Sequence, residues 1–155
     1  MTKGQVDVND LEIDPTLVGS AMRDELVVMY NKLSYWTEQH SEWDSKKKQI
    51  ENMLEEAKDK AKAIRATEAM AKALKAKIQD SYIRDFWGVP IEIVDTETGE
   101  LKQITCSSLN SEFIVASQRE TQTRHKMNLC NTALDIGRTA VSWDKQEYAK
   151  QGGTQ

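Results

Sequence analysis

The stretch MRDELVVMYNKLSYWTEQHSEWDSKKKQIENMLEEAKDKAKAI, residues 22–64, decides the fold. Met22, Leu26, Met29, Leu33, Trp36, His40, Trp43, Lys47, Ile50, Leu54, Ala57, Ala61 and Ile64 alternate spacings of four and three without a break. Only His40 and Lys47 on that row are polar. A 3.5-residue period draws a straight stripe along a supercoiled helix, so this segment requires another helix beside it. At roughly 1.5 Å per residue it is about 65–70 Å long. The two polar positions are placed to fix register at some expense of stability.

On either side of the seam the signals are also helical. No glycine or proline occurs between Ser20 and Trp87. The helix is expected to begin near Pro15–Ser20, because proline is tolerated in a first turn. Past Ile64 the seam weakens. Thr67 is a candidate cap for a second helix, 67–87, carrying Met70, Leu74 and Ile78 at four-residue spacing. Gly88 and Pro90 stop it. PIEIVDTETGELKQIT, residues 90–105, then switches to period two, with Gly99 where a hairpin loop wants a left-handed residue. A small β-hairpin over 90–105 follows, and it must pack on helices or on another subunit. A helix over 108–149, opening at Ser107 or Ser108, repeats the three–four spacing from Leu109 to Val141. Glu120 and Thr123 weaken its middle.

Residues 1–18, with few apolar anchors, read as an acidic flexible arm, and residues 151–155 as a disordered tail. The fold class expected is mostly α, a long antiparallel helical hairpin or coiled coil with a β-hairpin insertion, in a single helical domain over 19–150. Trp36, Trp43, Ile136, Ala140 and Trp143 are the candidate packing and oligomer residues. One helix pair cannot cover all of the apolar rows, so a homo-oligomer is expected.

Composition excludes several classes. No apolar run approaches the roughly 18–20 residues of a membrane span. The N-terminus has no apolar core of a secretory signal, so a cytoplasmic protein is expected. Cys106 and Cys130 lack any metal-ligand or redox spacing and read as small apolar residues. No Walker loop, dinucleotide fingerprint, zinc-protease motif or nucleophile elbow occurs, so neither an enzyme nor a cofactor is expected.

Charge is the informative feature. The net charge of −4 conceals a segment, residues 46–77, with ten basic and five acidic side chains. Lys46, Lys47, Lys48, Lys58, Lys60, Lys62, Arg65, Lys72, Lys75 and Lys77 form it, and they are the candidate nucleic-acid-binding residues. Flexible cations along one helix suit phosphate with little sequence preference. Tyr82, Phe86 and Trp87, just beyond, are the aromatics that single-strand binders use for stacking. The alternative is a solvated helix face whose aromatics are buried under the hairpin.

Two runs carry a family resemblance: YNKLSYWTEQHSEWDSKKKQIENMLEEAKDKAKAIRA (30–66) and LCNTALDIGRTAVSWDKQEYAKQGG (129–153). With Ile136, Arg138, Val141, Trp143, Tyr148 and Gly152 in the second, the chain resembles the UvsY recombination mediators of tailed phages. The resemblance implies a ring-like homo-oligomer that binds single-stranded DNA. Such a protein helps a RecA-like recombinase replace single-strand binding protein during recombination and repair. Lys46 to Arg65 would then contact DNA and the C-terminal helix would drive assembly. Two further readings stay open: a coiled-coil adaptor or inhibitor docking on a host complex, and a DNA-end-binding nuclease inhibitor.

Overall fold

The structure, a computed structural model, describes residues 7–71, 85–95 and 97–152 and is mostly helical. In chain order it comprises helix α1 (Gly19–Ala71), strands β1 (Ile91–Val94) and β2 (Leu101–Ile104), and helix α2 (Cys106–Gly152). No described helix is long and apolar enough to cross a membrane. The chain divides into two compact units, one of Met1–Trp43 with Arg119–Gln155 and one of Asp44–Gln118. This division lies within the region, 19–150, that the sequence reads as one domain. The division falls near the most polar stretch of the seam, around His40 and Lys47 on α1 and Glu120 on α2, so apolar contacts concentrate on either side of it.

In the first unit, Met22 and Met29 of α1 are buried with Cys130, Ala133 and Leu134 of α2, and Leu26, Leu33 and Trp36 pack against them. Burial of each large side chain contributes about 1.5–3 kcal/mol. The helical segments run antiparallel here, since Tyr30 meets Arg138 while His40 meets Glu120. Gly137 lets them approach closely: a Cβ there would lie 2.5 Å from Leu26 Cδ2.

Residues 7–18 correct the reading of a flexible arm. Leu11 and Ile13 are buried in this same core. Trp36 Nε1 donates to the Val8 carbonyl at 2.8 Å, and the buried Lys32 ammonium donates to the Asp10 carbonyl. Four apolar residues (Val8, Leu11, Ile13, Leu17) among the acids suffice to anchor the segment once two donors of α1 hold its backbone. Pro15 lies in the turn before the helix, not in its first turn. Asp14 accepts from the Thr16 hydroxyl and amide at 2.6 and 2.9 Å, which holds its exposed carboxyl below the usual range. Gly19, at φ +59°, then opens α1.

The second unit is built on smaller residues. Ala57 and Ala61 of α1 are fully buried against Phe86, Val89, Ile91, Ile104, Cys106 and Leu109. The hairpin pairs Ile91 with Ile104 and Val94 with Leu101, and its loop closes through Gly99 N–H to the Asp95 carbonyl at 2.7 Å. Gly99 sits at φ +71°, the left-handed position expected of it. Its inner face, Ile91 and Ile93, covers α1, so the hairpin gains within the chain the packing that an isolated one lacks.

Four boundaries differ from expectation. Thr67 does not cap a new helix: its hydroxyl donates to the Ala63 carbonyl at 3.0 Å inside a continuous α1. Of the expected helix 67–87, residues 72–84 lie outside the described residues, while residues 85–90 are irregular, with Val89 N–H donating to the Phe86 carbonyl. α2 opens earlier than Ser107, because Thr105 and Ser108 form a reciprocal cap, each hydroxyl accepting the other's amide at 3.1 and 3.3 Å. At the other end α2 includes Gln151 and Gly152, expected to be tail; residues 153–155 lie outside the described residues.

Candidate nucleic-acid interface

The lysine band of α1 belongs to the second unit, and its charges are largely shared with neighbours one turn away. Lys48 Nζ lies 3.0 Å from Asp44, Lys58 3.3 Å from Glu55, and Lys60 3.2 Å from Glu56. Arg65 reaches Glu68 at 3.1 Å and donates to the Asp85 carbonyl at 2.9 Å. Lys47 occupies the half-buried seam position its spacing assigns. Lys46 lines a groove floored by Ile50 and Met53 whose rim carries Asp95, Glu97 and Glu112. Lys72, Lys75 and Lys77, and Tyr82, lie outside the described residues.

Within this ladder one cluster differs. Residues 85–90 are irregular, and that path separates the two adjacent aromatics. Phe86 turns into the core, 8 % exposed, while Trp87 stays 40 % exposed and stacks on it at 5.3 Å between centroids, nearly parallel. Lys58 Nζ lies 5.6 Å from the Trp87 ring centroid and Lys62 Nζ 5.1 Å from that of Phe86. Arg65 and the Ser107 amide hold the segment by its Asp85 and Trp87 carbonyls. A partly exposed indole thus stacks on a buried ring, with the Lys58 ammonium over the indole and the Lys62 ammonium over the ring beneath it. Such a platform can stack a base while the cations meet the adjoining phosphates. The sequence treated Phe86 and Trp87 as equivalent, since a continuing helix would have carried both.

The packing residues also divide. Trp36 and Ala140 pack on the first unit's core and Trp43 is half-buried. Ile136 and Trp143 are exposed, at 47 % and 63 %. His40 and Glu120, the polar breaks in the two seams, are each other's partners. Nε2 lies 3.2 Å from Oε1 of a carboxylate only 8 % exposed, with Arg124 at 3.6 Å. No signal in either helix alone could have shown that pairing.

Cys106 and Cys130 are buried and free, and burial pushes both thiols above their ordinary pKa. Among the described residues no group of three or more His, Cys, Asp or Glu side chains is placed to hold a metal ion. Comparison of the chain with protein-family models, with curated proteins and with solved structures gives no match.

Proposed function

We propose that this protein is a non-catalytic, single-stranded DNA-binding homo-oligomer that serves as an accessory of phage-type recombination and repair. In that role it would resemble the UvsY mediators and cooperate with a RecA-like recombinase and a single-strand binding protein in the host cytoplasm. The observation that carries the reading is the exposed Trp87, stacked on Phe86 between Lys58 and Lys62. The intrahelical ion pairs do not oppose it. Exposed pairs are worth only about 0–1 kcal/mol, so phosphate can displace a carboxylate from them.

The test is a titration of labelled oligo-dT at rising salt. Binding is expected to weaken linearly on a log–log scale as counterions are released. Trp87→Ala is expected to weaken it about 5- to 150-fold, from the roughly 1–3 kcal/mol of one stacked base. No binding at low salt, or full binding by Trp87→Ala combined with Lys62→Glu, sinks the reading. The pairing of Lys48, Lys58 and Lys60 favours the second reading, a coiled-coil adaptor for a host protein. A pull-down that survives nuclease treatment would support that one.

A further inference from the structure

The hairpin is the part of the second unit that the proposed DNA platform leaves unused. From Ile91 to Leu101 it carries four carboxylates, Glu92, Asp95, Glu97 and Glu100, and no cation. On α1 the acids Glu55, Glu56 and Glu68 each face a cation one turn away. The four hairpin acids have no ion-pair partner among the described residues. Between them Val94 and its cross-strand partner Leu101 are 59 % and 71 % exposed. Uncompensated carboxylates around an exposed apolar pair repel phosphate and suit a partner that is cationic and partly apolar.

The backbone adds a direction. Asp95 N–H donates to the Glu100 carbonyl at 2.8 Å, so these two form a hydrogen-bonded pair. Pairs alternate along an antiparallel ladder, which makes Ile93–Lys102 and Ile91–Ile104 hydrogen-bonded as well. The N–H and C=O of Glu92 and Val94 therefore point away from β2, and among the described residues nothing bonds to them. An edge of this kind is a template for another strand. On the inner side of the hairpin lies a cleft of about 310 Å³, floored by Ile50, Met53 and Ile93. Its rim sets Lys46 and Lys102 against three carboxylates, an acidic excess.

We propose that β1 receives an extended basic peptide as a third strand. The peptide backbone bonds to Glu92 and Val94, and its side chains alternate between the two faces of the hairpin. On the inner side apolar residues reach Ile93 and the cleft; on the outer side lysine or arginine meets Glu92. A cationic strand selects β1 over β2 because β2 carries Lys102. A second copy is disfavoured, since pairing two β1 edges would set Glu92 and Asp95 against like charges. The site shares no residue with the cluster of Trp87, Lys58 and Lys62, so it stands whether or not the chain binds DNA.

Fluorescence anisotropy tests it, with the full chain and a labelled peptide of about six residues that alternates lysine and valine. Binding is expected at low salt, and a peptide alternating glutamate and valine is expected not to bind. Methylating every backbone nitrogen of the lysine peptide keeps its charge and removes its strand donors. Binding is then expected to weaken about 2- to 12-fold for each of the two donors that meet Glu92 and Val94. Val94→Pro removes the outward N–H without touching the ladder to β2, and a loss of about 2- to 12-fold is expected for that one bond. Glu92→Lys is expected to weaken binding and to flatten its dependence on salt. No binding at low salt overturns the proposal. So does equal binding of the methylated peptide, which marks a contact through charge alone, or equal binding by Glu92→Lys or Val94→Pro. Because the methylated peptide is read on the wild-type chain, it decides the matter even if Val94→Pro fails to fold.

Discussion

In the first unit α1 presents methionine, leucine and tryptophan to its partner and is tied by donors to residues 7–18; in the second it presents Ala57 and Ala61 and receives a hairpin. The consequence shows on the outside. Where the seam is made of large side chains, Val27 and Tyr30 of α1 and Ile136 and Trp143 of α2 stay exposed among charged neighbours. Where it is made of alanines, α1 carries ion pairs one turn apart, and the segment 85–90 beside it holds the exposed Trp87. One continuous helix therefore carries two different surfaces, one in each unit.

That contrast can be broken by deletion in each core. Leu134→Ala in the first unit and Leu109→Ala in the second, both at most 1 % exposed, are each expected to cost about 2–5 kcal/mol in urea unfolding. A much smaller loss at Leu109 would mean that the alanine-based core relaxes around the cavity, and the two cores differ in rigidity as well as composition.

A second, smaller effect isolates the polar centre of the first unit. His40→Leu leaves the buried Glu120 short of a partner, and a destabilisation of about 1–3 kcal/mol is expected. His40→Leu with Glu120→Leu is expected to recover most of it, because replacing both members of a buried polar pair by apolar groups is close to neutral. Failure to recover would show that Arg124 and Thr121, which also reach Glu120, are the ones that matter.

The two glycines sharpen the comparison further. Gly137→Val forces a side chain against Leu26, and a loss of about 1–3 kcal/mol is expected from overpacking. Gly99→Val, in the hairpin loop, meets open space and is expected to cost about 1–2 kcal/mol, through its left-handed backbone alone. Thermal melts of the two variants would separate a packing constraint from a conformational one. The mildest test is chemical. With both thiols buried and their pKa values raised, less thiolate is present at pH 8 than on a free cysteine, and alkylation of Cys106 and Cys130 is expected to be slow until urea is added.

Much of this was legible in the residues. The unbroken spacing from Met22 to Ile64 gave α1, and the DTETGE loop gave the hairpin with Gly99 in place, because both depend on local periodicity and one backbone angle. The docking of residues 7–18 was not legible, since its anchors, the carbonyls of Val8 and Asp10, have no signature in side-chain types. The lysine band was read as a row of cations, although Asp44–Lys48 and Glu56–Lys60 stand at four-residue spacing and could have been paired from sequence. The separate fates of Phe86 and Trp87 depend on the irregular path of residues 85–90, which is held by tertiary contacts such as Arg65 on the Asp85 carbonyl.

Thr105 is the single residue between the end of β2 and the start of α2, and its hydroxyl, amide and carbonyl are all engaged with the first turn of that helix. Such a junction has no slack. For anyone inserting a tag or a reporter, the hairpin tip between Glu97 and Gly99 can lengthen without disturbing the rest, whereas one added residue at 105 would rotate the whole of α2 against the strand that precedes it.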